Sequence, residues 1–206
     1  MKNNKHGLAL DIDETLADTA TYWIENLIKL FGIERNLTVL EIREQYHLAD
    51  KVPEWQTDEA LAWMEKARNS NAIQEELPLL RNADTIVNKI HEAIPIQAYI
   101  TIRPRKVLQG TKKWLQKHGF PSAQIIARPE YIDHKDGNKW KAEVLEHLYP
   151  EVLGIVDDSL RLIDHLSETY QGTVYLYNRK NHQKNGITVK HCPSLQKVLS
   201  ELQFVQ

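Results

Sequence analysis

Residues 8–19 read LALDIDETLADT, with Asp11 and Asp13 one residue apart where a short apolar run stops. Glu14 and Thr15 follow at once. Like charges this close repel. The chemistry open to such a cluster is divalent-metal binding, proton transfer or nucleophilic attack. The plain alternative is that the acids cap the helix that follows. Three more polar signals stand out further along: Thr101 in AYITIRP, Lys139 and Lys141 in KWKAEVL, and the pair Asp157-Asp158 in GIVDD. Each alone has an ordinary explanation. Threonine is a good strand former, lysines at a helix start form a solvated face, and Asp before Ser159 suits a helix N-terminus.

The elements that must position these residues follow from periodicity. HGLALDI (6–12) reads as a strand. From Asp18 to about Gly32 the residues Tyr22, Trp23, Leu27, Leu30 and Phe31 recur at helical spacing. Helical pattern continues over 38–48, 57–69 and 83–94, with Pro53 and Pro78 as punctuation. After Pro95 the pattern alternates. Strands are expected at 96–102, 123–128, 152–158 and 173–178, and helices at 105–119, 139–150 and 159–170, with Asn138 as an N-cap. This alternation predicts an α/β fold, a Rossmann-like parallel sheet with helices on both faces. Ligands in such sheets bind beyond the carboxyl ends of the strands. All four polar signals fall at such ends or at a helix start. Residues 17–77 are too long for an ordinary strand–helix connection, so they read as an inserted helical cap, with 1–16 and 78–206 as the core.

Composition bounds the function. The 206 residues are 42% hydrophobic and 26% charged, with a net charge of -2. That balance gives no global attraction to nucleic acid or to an anionic membrane. One cysteine, Cys192, allows no internal disulfide framework and fits a reducing compartment. The N-terminal apolar run is too short for a signal peptide or a membrane span, so the chain reads as cytoplasmic. A homodimer is left open.

The joint order D-x-D-x-T, T, K, DD resembles the haloacid dehalogenase superfamily of phosphohydrolases. Its four motifs stand here as DIDET, Thr101, a lysine in KWKAEVL and GIVDD, and the insertion lies where that family places a helical C1-type cap. ELPLLRNADTIVNKI and KAEVLEHLYPEVLGIVDD look most like cytosolic 5'-nucleotidases of the deoxyribonucleotidase kind. Two positions depart from that branch: its glycine after the second Asp is Glu14 here, and its base-stacking aromatic is Thr19.

The resemblance implies a Mg²⁺-dependent phosphomonoesterase. Asp11 would attack phosphorus and form an aspartyl phosphate, and Asp13 would protonate the leaving oxygen and then activate water. Mg²⁺ would be held by Asp11, the Asp13 backbone carbonyl and Asp157, with Asp158 orienting its water. Thr15, Thr101, Ile102 and Arg103 would meet the substrate, and Lys141 would neutralise nucleophile and phosphoryl group. Lys141 is preferred to Lys139 because it fits the family pattern in KAEVLEHLYPEV. The two lie about 200° apart on a helix, so only one faces the site.

Rival metal readings fail. An EF-hand loop starting at Asp11 needs Gly sixth and Glu twelfth, where the sequence has Leu16 and Tyr22. A receiver domain has its acidic pair before the acceptor, whereas here the pair comes last. The expected substrate is a small phosphate ester, a nucleoside 5'-monophosphate among the candidates. The alternatives are a phosphatase acting on a nucleic-acid end or a phosphoprotein, and a non-catalytic binding protein on the same fold. The cap aromatics Tyr22, Trp23, Phe31, Tyr46, Trp55 and Trp63 either stack on a base or form the cap's own core, and helical spacing favours the core.

Overall fold

A computed structural model describes residues 6–46, 49–179 and 181–203. Six strands form one parallel sheet. They are β1 (Gly7–Leu10), β2 (Ile96–Pro104), β3 (Gln124–Arg128), β4 (Val152–Asp157), β5 (Thr173–Tyr177) and β6 (Thr188–Cys192). Their spatial order is β3-β2-β1-β4-β5-β6, so β1, β2 and β4 lie at the centre. Side chains alternate across the pleat as period two requires. Leu8, Leu10, Tyr99, Val156 and Tyr175 enter one buried cluster, and Ala9, Ala98, Ile100, Ile155 and Val174 the other.

Helices cover both faces. Helices α5 (Ala83–Ala93), α6 (Leu108–Lys117) and α9 (Leu195–Gln203) give Val87, Ile90, Trp114, Leu115, Val198 and Leu199 to the first cluster. Helices α7 (Gly137–His147) and α8 (Leu160–His165) give Ala142, Leu145, Leu162 and Ile163 to the second. The expected α/β architecture is the observed one. No helix among the described residues is long and apolar enough to cross a membrane.

Between β1 and α5 lie α1 (Thr19–Phe31), α2 (Val39–Tyr46), α3 (Asp58–Arg68) and α4 (Asn71–Glu76). The chain enters and leaves this region at one point. Asp18 N donates to the Pro78 carbonyl (2.9 Å) and Leu80 N to the Leu16 carbonyl (2.8 Å). Ile24, Leu27, Ile42, Val52, Trp55, Ala60 and Met64 form a separate apolar cluster. Trp55 is its centre, fully buried, with Nε1 on the Gly32 carbonyl at 2.9 Å. Tyr46, Trp23 and Trp63 pack at its margin, while Phe31 is exposed. Helix α4 lies outside that cluster: Ile73 and Leu77 pack on the sheet's first cluster.

Boundaries differ in instructive places. The strand expected at 96–102 runs on through Pro104, with its register broken between Thr101 and Pro104, where proline has no N–H to give the ladder. The helix expected at 159–170 stops at His165, and Ser167 N turns to Glu146 Oε1 at 2.5 Å. Asn138 is not the cap of α7; that position is Asp136, and Asn138 lies in the first turn. Residues 47 and 48 of the helix expected over 38–48 fall outside the described residues.

Candidate active site

The centre is an ion triad at the carboxyl edge of β1 and β4. Asp11 N donates to the Val156 carbonyl (2.9 Å), which fixes the first residue after β1 beside the end of β4. Asp157 ends β4, and its Oδ1 accepts from Ser159 N at 2.7 Å. Lys141 stands in the second turn of α7. The start of that helix lies close against β2, because Gly137 has no side chain. A Cβ there would sit 3.0 Å from Ile102 Cγ2. The Lys141 ammonium then reaches both acids, pairing with Asp11 Oδ1 and with Asp157 Oδ2, the latter at 2.6 Å. Lys141 is 2% exposed; Lys139 is exposed to solvent.

The electrostatics show what the triad lacks. Burial pushes the Asp11 carboxyl well up, Lys141 pulls it back, and Asp157, Asp158 and Asp13 raise it again. Burial also works against the charge on Lys141, but Asp11 and Asp157 outweigh it and hold the ammonium above the usual lysine range. Asp11 and Asp157 therefore share one buried cation. Asp158 is pushed up to about 6 by burial and Asp157, against the pull of Arg179, whose guanidinium pairs with its carboxylate.

Asp13 faces a different partner. Arg103 meets it with two parallel bonds, Nε to Oδ2 at 2.9 Å and Nη2 to Oδ1 at 2.8 Å. Thr19 Oγ1 donates to Oδ1 at 2.5 Å. Burial pushes the Asp13 carboxyl up, but Arg103, with Thr19 and Lys141, takes it below the usual range. The fork of Arg103, expected to meet the substrate, is thus engaged by Asp13, and its Nη1 donates to Thr111 at 3.3 Å. Thr101 is fully buried, and its Oγ1 accepts from Arg103 N at 3.2 Å. Thr15 is fully buried, and its Oγ1 has no partner among the described residues. Ile102 offers its carbonyl to Arg128 Nε at 3.0 Å.

Asp11, Asp157 and Asp158 each present a carboxylate oxygen within 4.8 Å of the others. An all-oxygen, acid-rich set short of positive charge fits a hard divalent cation such as Mg²⁺. The Asp13 side chain is outside that group, engaged with Arg103.

Three contributors escaped the sequence reading. Thr19 is the first residue of α1 and closes on Asp13. Arg179 follows the end of β5 and holds Asp158 through its carboxylate and its carbonyl, the latter at 2.9 Å. Arg43 of α2 reaches back to the loop, donating to Glu14 Oε2 (2.7 Å), Asp18 Oδ1 (2.6 Å) and Thr21 Oγ1 (2.7 Å). Glu14 adopts φ +59°, a left-handed backbone that favours glycine. Its carboxylate bonds to Ala20 N (2.6 Å) and Arg43 hold that turn in place of glycine's freedom. Further along from Thr101, the basic residues Arg105, Lys106, Lys112, Lys113 and Lys117 are exposed, a solvated face.

No protein-family model and no curated protein matches the sequence. Solved structures do. A haloacid dehalogenase superfamily hydrolase of subfamily IA from Geobacter sulfurreducens superposes with a TM-score of 0.55 at 12% identity, covering 98% of each chain. The fold is that of the haloacid dehalogenase superfamily. A dehalogenase matches with a TM-score of 0.54 at 14% identity, over 98% of both chains. A phosphoserine phosphatase from T. onnurineus gives 0.51 at 16%, again over 98% of both. The Asp11, Asp157 and Lys141 triad sits at the carboxyl edge of this haloacid dehalogenase fold, between its central strands β1 and β4.

Proposed function

We propose that the protein is a Mg²⁺-dependent phosphomonoesterase that works through an aspartyl phosphate on Asp11. Its substrate is a small phosphate ester, a nucleoside 5'-monophosphate among the candidates. The observation that carries this reading is the buried triad, a nucleophile held by Lys141 with Asp157 and Asp158 within reach of a shared cation. Displacing a group from carbon needs no such cation, whereas an anionic phosphate approaching a carboxylate does. When bound, the cation supplies neutralisation of that charge. Asp11 attacks phosphorus, Lys141 offsets the charge gathering between them, and Thr101 and Thr15 offer hydroxyls to the phosphoryl oxygens. Arg103 holds Asp13 as the carboxylate, the form that deprotonates the attacking water; as the acid for the leaving oxygen, Asp13 first takes up a proton. Residues 17–77 act as a C1-type cap, a reading supported by their separate apolar cluster and single point of entry.

A panel of phosphorylated metabolites and nucleotides, assayed with Mg²⁺, tests the function. Activity vanishes on treatment with a chelator and returns with Mg²⁺, and Ca²⁺ restores it poorly because its looser shell chelates the nucleophile. Full activity after exhaustive chelation rules the cation out of the reaction. Asp13→Asn slows turnover by roughly 10²–10⁴-fold. The loss is smallest for p-nitrophenyl phosphate, whose leaving group departs unprotonated. An equal loss on an alkyl phosphate argues against an acid role in the first step.

A further inference from the structure

One guanidinium ties together three points of the chain that runs from β1 into the insertion. Arg43 of α2 donates through Nη2 to Glu14 Oε2 at 2.7 Å, and through Nη1 to Asp18 Oδ1 at 2.6 Å and Thr21 Oγ1 at 2.7 Å. The three charged side chains are 22–29% exposed. That is well short of the open surface, where such pairs contribute little. The loop also closes on itself. Glu14 N donates to the Ala17 carbonyl at 2.8 Å, and Glu14 Oε1 accepts from Ala20 N at 2.6 Å. A left-handed backbone at a residue with a Cβ persists only where its surroundings hold it, and at Glu14 these bonds do so.

Thr19 lies between the clamped points. Its Oγ1 donates to Asp13 Oδ1 at 2.5 Å, while Arg103 of β2 grips the same carboxylate from the core. Asp13 is thus aimed from two sides, and one of them is the first residue of α1. Arg43 bonds to the residue after Asp13, to the residue before Thr19 and to the residue two beyond it. A group that gives or takes a proton must lie within hydrogen-bond reach of its target. A misplacement of about 1 Å can cost on the order of 10²-fold in rate.

We propose that Arg43 is a positioning residue for Asp13. By clamping Glu14, Asp18 and Thr21 it seats Thr19 on the Asp13 carboxylate, which makes the seating of α2 a condition of proton transfer. This rests on the phosphomonoesterase reading and deepens it: the insertion enters the chemistry through Thr19, with Arg43 at one remove from the reacting atoms.

The test compares kcat and KM for p-nitrophenyl phosphate and an alkyl phosphate, with Mg²⁺, in the wild type, Asp13→Asn, Thr19→Val, Arg43→Ala and the Thr19→Val, Arg43→Ala double variant. Valine keeps the branched shape of threonine without its hydroxyl. Arg43→Ala lowers kcat about tenfold more on the alkyl phosphate than on p-nitrophenyl phosphate, with KM little changed. That is part of the roughly 10²–10⁴-fold that proton transfer supplies. Thr19→Val shows the same preference, and the double variant loses no more than the worse single one, because both act on one bond. Where a melt shows Arg43→Ala unfolded, Arg43→Lys takes its place, keeping the charge and losing the fork. Equal losses on the two esters, or losses that multiply in the double variant, overturn the proposal. A second readout needs no turnover. In protein labelled with ¹³C at its aspartates, the Asp13 carboxyl resonance, assigned through Asp13→Asn, moves on Arg43→Ala. If the wild type hydrolyses neither ester, or Asp13→Asn shows no leaving-group preference, the reading of the reaction fails and the resonance alone decides on Arg43. A moved resonance then leaves the clamp standing, and an unmoved one overturns it.

Discussion

Asp11→Asn abolishes turnover and leaves the protein folded. Asparagine has almost the volume of aspartate, so the packing around a residue 5% exposed survives. What is lost is a negative charge that burial, Asp157, Asp158 and Asp13 all disfavour. Lys141 keeps its 2.6 Å pair with Asp157. The melting temperature therefore holds or rises, while the rate falls by orders of magnitude because a neutral amide cannot attack phosphorus. Thermal melts and kcat for the same preparation separate the two effects. Turnover near the wild-type rate in a folded variant removes Asp11 from the chemistry.

Lys141→Ala reduces both activity and stability, and Lys139→Ala does neither. The Lys141 ammonium is the one cation paired with Asp11 and Asp157 among the described residues. Removing it leaves two buried carboxylates facing each other, a change worth about 3–5 kcal/mol for a broken buried pair. It also removes the charge that offsets nucleophile and phosphate, so kcat falls by orders of magnitude. Lys141→Met, which keeps the length without the charge, loses activity as severely and so separates charge from packing. Lys139 is exposed, and its replacement stays within about 0.5 kcal/mol. Denaturant unfolding and side-by-side kinetics read both. The reverse ranking transfers the role to Lys139.

Much of this site was legible because its residues stand at strand ends. Asp11, Thr101 and Asp157 each belong to or follow a central strand, and their order is visible without coordinates. The choice of Lys141 over Lys139 rested on family pattern and helix geometry, and the structure buries the former and exposes the latter. The arginines were harder. Arg103 stood out for its closeness to Thr101, yet nothing in its spacing says that its fork closes on Asp13, which lies ninety residues away. Arg128 and Arg179 sit at or just beyond the ends of β3 and β5, where the same edge rule would flag them. Of the two, Arg179 reaches a site residue, Asp158, from beyond a strand that looks remote in sequence. Arg43 carries no local signal, since its partners Glu14 and Asp18 belong to another element.

The chain's far end was read least well. The strand β6 is an edge strand with mostly exposed or half-buried residues, so it lacks the apolar run that marks a central strand. Helix α9 is different: Leu195, Val198, Leu199 and Leu202 have plain helical spacing and cover the sheet's first cluster. Helix α4 is six residues long, too short for periodicity to declare it.

The central claim is that a phosphoryl group rests on Asp11 during turnover. Wild-type protein mixed with p-nitrophenyl phosphate and Mg²⁺, quenched in acid within a turnover, and reduced with borohydride converts a phosphorylated aspartate to homoserine. Peptide mass mapping then reads which residue was carried. The account predicts homoserine at position 11, absent without Mg²⁺ and absent in Asp11→Asn. Steady release of phosphate with Asp11 unmodified, or with the label on Asp13, would contradict it.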